Sequence, residues 1–174
     1  LDLSGFVTEN VTTMEGMFSS CKLDSLDLSS FNTSNVTDMS AMFRNCSNLR
    51  SLNISGFDTP KLTDVYEMFD ECINLTSLDL SGFDLSQVKY NGYMFDNCNS
   101  LEIIHTPKAM KEESFVTLPT GFVDPKGTAT RSITSPFCNT TLVNKNCLVK
   151  QIKFDTSLFS FKVGETGQLN ATVL

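Results

Sequence analysis

The chain contains four copies of one sequence unit, and this repetition restricts its fold more than any other feature. The segment LDLSSF that begins at Leu26 has counterparts that begin at Leu1, Leu52 and Leu78. Each copy also contains a Met-Phe pair and a cysteine at equivalent places. Successive copies lie 25 residues apart once and 26 residues apart thereafter. A fixed period of this length predicts units that stack on one another and share a hydrophobic core.

Two hydrophobic periodicities follow each other within one repeat. Leu52 and Ile54 alternate with polar residues, which predicts a short strand, and Gly56 permits the tight turn after it. A second group of apolar residues lies at helical spacing and predicts one face of a short helix. This group consists of Val36, Met39, Met42 and Phe43. We therefore predict an α+β repeat solenoid over residues 1–106, in which four coils of strand, turn and short helix precede a terminal strand.

Nine residues of the second repeat are predicted to form the core that neighbouring repeats share. They are Leu26, Leu28, Phe31, Val36, Met39, Met42, Phe43, Cys46 and Leu49. A cysteine at the same position of every repeat is usually a small buried apolar group. Disulfides between successive repeats would need favourable geometry at each step. We therefore expect buried thiols rather than disulfides at Cys21, Cys46, Cys72 and Cys98.

The repeat stops after residue 106, and two further regions follow. Residues 107–147 contain short apolar segments around turn-forming residues, which predicts a small β-rich cap or linker region. Residues 148–174 return to strand-like alternation and predict the first strands of a truncated β-sandwich. Cys138 and Cys147 enclose a polar loop outside the repeat. We favour a disulfide between these two cysteines, which fits an extracellular setting.

Charge and hydropathy exclude two classes of partner. The net charge of the chain is −7, and residues 1–106 carry 15 acidic and 5 basic side chains. Such a surface repels phosphate backbones, so nucleic acid is not expected as a partner. No apolar run approaches the roughly 20 residues of a membrane-spanning helix, so no membrane span is predicted. The chain begins inside a repeat at Leu1, and we interpret it as a fragment of a longer protein.

The repeat motif LxLSGFDTxxVTDMxxMFxxCxxL closely resembles the BspA-like leucine-rich-repeat surface proteins of bacteria, and it occurs in four in-phase copies. Residues 152–174 contain VGET from Val163 and LNATV from Leu169, and they are similar to the opening of a bacterial group 2 immunoglobulin-like domain. These resemblances imply a right-handed, leucine-rich-repeat-like stack presented on immunoglobulin-like modules of a bacterial cell-surface or secreted protein. Members of the repeat family are associated with adhesion, and none of the repeat residues is catalytic.

The polar side of the predicted strands carries the candidate ligand-binding residues. A largely acidic column occupies equivalent positions of the repeats and faces away from the leucines. We name this column and its neighbours the strand face: Asp2, Asp24, Asp27, Arg50, Asn53, Asp79 and His105. An acidic column suits Ca²⁺ or a basic patch on a partner. The alternative is a solvated polar surface that keeps the sheet soluble, and we favour it over a dedicated ion site.

The titratable residues of the chain offer little for catalysis or metal binding. His105 is the one histidine of the chain, and a cysteine nucleophile beside it would be Cys98 or Cys138. Cys98 belongs to the predicted core, so His105 is interpreted as a surface residue of the last strand. Zinc spacing is absent, because the chain has neither a Cys-x-x-Cys motif nor a second histidine. No catalytic residue, metal ligand or other cofactor is therefore predicted.

The predicted function is non-enzymatic binding or adhesion by an extracellular bacterial protein, at the cell surface or after secretion. Its partner would be a host or microbial surface protein or a glycan, held on the strand face. Two alternatives remain open. The array is a structural spacer that displays another module, or it is an accessory module of a larger surface protein or secreted enzyme.

Overall fold

The computed structural model describes residues 2–124 and 126–145, which form short strands joined by turns. In chain order the strands are β1 (Ser25–Asp27), β2 (Ser51–Asn53), β3 (Ser77–Asp79), β4 (Asp84–Leu85), β5 (Ile103–His105), β6 (Ala109–Met110), β7 (Phe115–Thr117), β8 (Phe122–Val123), β9 (Ser132–Thr134) and β10 (Thr141–Asn144). A 3-10 turn at Ser135–Phe137 lies between β9 and β10. The strands belong to several small sheets, with the orders β1-β2, β3-β5-β10-β8, β4-β6 and β7-β9.

Parallel pairing brings equivalent residues of successive repeats side by side. β1 pairs with β2 so that Leu26 lies opposite Leu52, and β3 pairs with β5 so that Leu78 lies opposite Ile104. Paired parallel strands lie about 4.8 Å apart, so each repeat is one strand spacing from the next. We name this line of strands the strand row; it comprises residues 24–27, 50–53, 76–79 and 102–105.

A second line of inter-repeat contacts runs along the part of each repeat that was predicted to be helical. Isolated bridges join Thr13 to Asp38, Asp38 to Asp64, and Asp64 to Tyr90. We name this line the turn row; it comprises residues 12–20, 37–45, 63–71 and 89–97. The two rows occupy different positions in the repeat and share no residue.

Consecutive turns replace the helix in the turn row. The N–H of Met42 donates to the carbonyl of Met39, three residues earlier, at 3.2 Å. The N–H of Ala41 instead donates to the carbonyl of Tyr66 in the next repeat, at 2.8 Å. Ala41 and Asn45 have φ values of 51° and 56°, in the left-handed region. Left-handed residues cannot continue a right-handed helix, and here they aim their N–H groups at the next repeat.

The predicted α+β solenoid of strand, turn and short helix is therefore wrong. Within residues 2–124 and 126–144 the structure contains no α-helix, and its strands form several small sheets. The spacing of Val36, Met39, Met42 and Phe43 misled the prediction because successive turns also return side chains to one side. All four side chains are buried, as they would be on the inner face of a helix.

The core prediction is confirmed, because all nine core residues predicted in the second repeat are buried. Phenylalanine rings form a continuous stack through this core. Phe43 lies 5.9 Å from Phe18 and 5.4 Å from Phe69, measured between ring centroids. Phe95 extends the stack at 5.7 Å from Phe69. Each repeat therefore completes the core of its neighbour, and the packing energy is shared along the array.

The repeat cysteines are thiols, and the prediction that they form no disulfides with one another is confirmed. Cys46, Cys72 and Cys98 are buried, while Cys21 is half-buried at the first repeat. The Sγ of Cys72 lies 3.1 Å from the carbonyl oxygen of Phe43 in the preceding repeat, to which the thiol donates. Burial raises the pKa of Cys98 to about 12, so this thiol stays protonated at neutral pH.

The region after the repeats continues the hydrogen bonding of the last one. β10 lies antiparallel between β5 and β8, with Leu142 opposite Ile104 and Val143 opposite Val123. Leu142 and Ile104 are fully buried. The last repeat therefore does not end on an open strand edge, since β10 covers β5.

Residues 146–174 lie outside the described residues. The proposed first strands of a truncated β-sandwich at 148–174 fall there, and so does Cys147. The boundaries drawn at residues 106 and 147, the β-sandwich and the Cys138–Cys147 disulfide stay predictions.

Candidate functional site

The strand row brings four of the predicted site residues together in two pairs. Asp27 lies opposite Asn53 in β1 and β2, and Asp79 lies opposite His105 in β3 and β5. All four residues are exposed. Their neighbours in the chain, such as Leu26 and Leu28 on either side of Asp27, are turned towards the core. This alternation follows from the two-residue period of strands. The structure therefore turns these four side chains towards solvent, with one pair on β1 and β2 and the other on β3 and β5.

The acidic side chains of this surface are held by their own turns. The Oδ1 atom of Asp27 accepts the N–H of Ser29 at 2.9 Å, and that of Asp79 accepts the N–H of Ser81 at 2.9 Å. Asn53 makes the same contact with Ser55 at 3.2 Å. Hydrogen bonding two residues ahead is the usual turn geometry of Asp and Asn. The column therefore consists of side chains that are oriented before any ligand arrives.

These contacts also fix the charge of the column. The backbone hydrogen bond from Ser29 lowers the pKa of Asp27, and the hydrogen bond from Ser4 lowers that of Asp2 in the same way. Partial burial opposes ionisation of Asp79, but the hydrogen bonds from Ser81 outweigh it and its pKa is lowered too. All three carboxyl groups therefore stay ionised throughout the neutral pH range.

The remaining predicted residues lie at the edge of the strand face. Asp24 and Arg50 precede β1 and β2, and both side chains are exposed. The N–H of Arg50 donates to the carbonyl of Asp24 at 2.8 Å, which makes the two residues neighbours in successive repeats. The row next to the acidic column therefore carries both signs of charge.

His105 marks the point where the strand face meets the region after the repeats. Its Nδ1 atom lies 2.9 Å from the Oγ1 of Thr141 in β10, and its side chain is exposed. A surface depression opens beside it and is lined by residues with polar side chains. The lining residues are Asp79, Ser81, His105, Thr106, Asn139, Thr140 and Thr141. Its hydroxyl, amide and carboxylate groups suit hydrogen bonding to a polar ligand.

The acidic column does not gather into an ion site. Within residues 2–124 and 126–145, the structure brings together no group of three or more His, Cys, Asp and Glu side chains able to hold a metal. Successive column residues such as Asp27 and Asn53 are separated by one strand spacing, and each engages its own turn. Ca²⁺ usually takes six to eight oxygen ligands, so the column offers it few ligands.

Sequence reasoning missed a second exposed surface, which lies on the turn row. Tyr66, Tyr90 and Tyr93 are 40%, 61% and 58% exposed. The rings of Tyr66 and Tyr93 meet edge to face, with centroids 5.8 Å apart and planes at 88°. We name these three residues the tyrosine patch. The available signal was their departure from the repeat, because the second repeat has Asp38, Ser40 and Ala41 at the equivalent positions.

A polar network supports the tyrosine patch. The Nε of Arg44 lies 3.2 Å from Oε2 of Glu67 and 3.4 Å from Oδ2 of Asp70. The Nδ2 of Asn97 donates to the other oxygen of Asp70 at 3.4 Å. Partial burial, together with the adjacent Glu67 carboxylate that accepts its hydroxyl, raises the pKa of Tyr66. The network joins three successive repeats and keeps the Tyr66 phenol neutral.

Comparison with known proteins identifies the repeat region. A protein-family model described as "Mycoplasma protein of unknown function, DUF285" matches residues 1–106. The chain belongs to the DUF285 family. The DUF285 region has the same limits as the four repeats and their terminal strand, and it contains both the strand face and the tyrosine patch. Neither the curated proteins nor the solved structures include a match to this DUF285 chain.

Among the residues that the structure describes, no helix has the length and apolar character required to cross a bilayer.

Proposed function

We propose that the chain is a non-enzymatic binding protein, located at the bacterial cell surface or secreted, that recognises a host or microbial surface protein or a glycan through its strand face. The resemblance of its repeat to BspA-like surface proteins supports the location. The resemblance of residues 152–174 to the opening of an immunoglobulin-like domain supports it as well. Such modules commonly present binding arrays away from the cell.

The observation that carries this proposal is the orientation of the strand-face side chains. Asp27 and Asp79 each accept a hydrogen bond from the serine two residues ahead, and their lowered pKa values keep both ionised. Side chains that are ordered before binding lose less conformational entropy when a ligand engages them. A partner with hydrogen-bond donors or positive charges at strand spacing would therefore meet a prepared surface.

The experiment is a binding screen of the full chain against arrays of surface proteins and glycans. Each ligand found is then measured with the double variant Asp27→Asn, Asp79→Asn. Asparagine keeps the turn hydrogen bond, as Asn53 does, and removes only the charge. We expect about tenfold weaker binding, because the charge complementarity of the interface is lost.

The matched control is Glu9→Gln, which removes an exposed negative charge outside the strand row. Binding that falls equally in the control would contradict a strand-face site. A chain that binds nothing in the screen would favour the alternative function of a structural spacer or accessory module.

A further inference from the structure

The tyrosine patch contains every tyrosine of the chain, and all of them are exposed. The chain has three tyrosines and no tryptophan, and all three tyrosines lie between residues 66 and 93 on the turn row. Their exposed fractions range from 40% to 61%, although the phenylalanines of the same row are buried. Exposed tyrosines that cluster on one surface are typical of binding sites, because tyrosine combines apolar area with a hydrogen-bonding hydroxyl.

A glycine sets the geometry of the patch. The ring of Tyr66 lies over Gly92, and a Cβ atom added to Gly92 would sit 3.3 Å from its Cε2 atom. Tyr93 directly follows Gly92 in the sequence, and Tyr90 precedes it by two residues. Tyr93 meets Tyr66 edge to face at 88°. The absence of a side chain at Gly92 therefore leaves room for the Tyr66 ring. The rings of Tyr66 and Tyr93 adjoin each other at nearly a right angle.

The surroundings of the patch are strongly acidic. The four segments of the turn row contain seven acidic residues and two basic residues, Arg44 and Lys89. Arg44 is engaged by Glu67 and Asp70, which neutralises it locally. Tyrosine faces attract cations, and nearby carboxylates add to that attraction. Anionic partners such as nucleic acid or acidic glycans would instead meet a repulsive surface.

We propose that the tyrosine patch is a docking surface for a lysine- or arginine-rich segment of a partner protein. A cationic side chain of that segment would lie against the rings of Tyr66 and Tyr93, with the carboxylates of the turn row around it. The occupant is chosen by charge complementarity and by the right-angled aromatic walls. The tyrosine patch shares no residue with the strand face, so this proposal can be tested independently of the function proposed above.

The test uses the full chain and a fluorescein-labelled nona-arginine peptide, with nona-glutamate as the peptide control, in fluorescence anisotropy at fixed ionic strength. The central variant is Tyr66→Leu, Tyr93→Leu, which removes the rings and leaves every charge in place. We expect nona-arginine binding to weaken about tenfold, as two cation–aromatic contacts are lost. Nona-glutamate should not bind.

Two further variants test whether a loss of binding is specific to the tyrosine patch. Gly92→Ala keeps both tyrosines but displaces the Tyr66 ring by a few tenths of an ångström, and it should weaken binding in the same direction by a smaller factor. Phe6→Leu removes an exposed aromatic ring of the first repeat, away from the patch, and should leave binding unchanged. Circular dichroism of each variant establishes that it is folded.

Three results would overturn the proposal. Nona-arginine affinity that survives the double tyrosine variant would show that charge alone attracts the peptide. Absence of nona-arginine binding to the parent chain would remove the basic partner altogether. Binding of a neutral oligosaccharide, lost in the tyrosine variant while nona-arginine does not bind, would assign the patch to a glycan instead.

Discussion

The ring of Phe43 stacks on the ring of Phe69 in the next repeat, with centroids 5.4 Å apart and planes only 8° from parallel. Phe18 and Phe95 continue the stack on either side, at 5.9 and 5.7 Å. These four rings belong to the same position of four successive repeats. The hydrophobic core is therefore a set of columns that run across repeats, and no repeat has a complete core by itself.

Removal of an aromatic ring from the middle of this stack should destabilise the fold. Phe69 is fully buried between Phe43 and Phe95. We expect Phe69→Ala to lower the free energy of unfolding by about 3–5 kcal/mol, the usual cost of removing a buried aromatic side chain. Urea unfolding followed by circular dichroism measures it. Phe115→Ala, at a ring that is 59% exposed, is the control and should change little.

Close approach of the repeats makes Gly56 irreplaceable. A Cβ atom at Gly56 would lie 2.0 Å from the carbonyl oxygen of Ser29 in the preceding repeat, and backbone cannot move aside as a side chain can. Gly56→Ala should therefore lower the free energy of unfolding by about 1–3 kcal/mol or more, the usual cost of overpacking. Gly5→Ala is the matched control, because nothing lies within 4 Å of its added Cβ. Equal thermal unfolding temperatures for the two variants would contradict this account.

Local pattern was enough to predict the core and the polar strand face. Leu26 and Leu28 alternate with Asp27, and a two-residue period fixes which side chain faces solvent in any strand. The repeat then places Asn53 beside Asp27, since stacked units align equivalent positions. These conclusions need only local periodicity and the repeat length, both of which are explicit in the sequence.

The conformation of the turn row could not be predicted in this way. Turns and a short helix both bring Met39 and Met42 to one side, so apolar spacing does not distinguish them. Hydrogen bonds between repeats, such as that from the N–H of Ala41 to the carbonyl of Tyr66, favour turns over a helix. Left-handed φ values at Ala41 and Glu67 make those bonds possible, and neither residue type signals that conformation.

The tyrosine patch escaped prediction for a different reason. Repeat analysis compares equivalent positions and assigns function to what recurs, which directed attention to the column through Asp27. Tyr66 and Tyr93 occur where other repeats have small or acidic residues, so they appeared as drift from the pattern. Their convergence on Gly92 depends on the register between the third and fourth repeats, which the structure provides.

A glycine substitution distinguishes the turn row from a helix. Ala41 lies inside the segment predicted to be helical and has a φ of 51°, a conformation that costs a non-glycine residue roughly 1–2 kcal/mol. We expect Ala41→Gly to leave the free energy of unfolding unchanged or to raise it by up to about 1 kcal/mol, because glycine adopts this conformation readily. In a helix the same substitution would cost about 1 kcal/mol. Destabilisation of that size in urea titration would therefore contradict the observed turns.

The buried thiols should be resistant to alkylation. Cys72 and Cys98 are fully buried, and burial raises the pKa of both, so little thiolate is available. Iodoacetamide at pH 8, followed by peptide mass spectrometry, should label the half-buried Cys21 first among the repeat cysteines. Cys72 and Cys98 should be labelled only after addition of denaturant. Rapid labelling of Cys72 in the native protein would show that the array opens readily between repeats.

Two aspartates should give the array opposite dependences on pH. Hydrogen bonding lowers the pKa of Asp27, so its contribution to stability is present above the unfolded pKa near 3.9 and is lost as pH falls through the folded value. Burial raises the pKa of Asp64, so its charge disfavours folding at neutral pH and this penalty disappears in acid.

The matched variants Asp27→Asn and Asp64→Asn keep the side-chain acceptor of the turn and remove only the charge. At pH 7 we expect the first to lower the thermal unfolding midpoint and the second to raise it. Near pH 3 both differences from the parent should shrink. The two carboxyl groups are then increasingly protonated in the folded and in the unfolded chain, so their charge contributes less to the free energy of unfolding. Midpoint shifts of the same sign at pH 7 would contradict the assigned causes, since hydrogen bonding and burial act on ionisation in opposite directions.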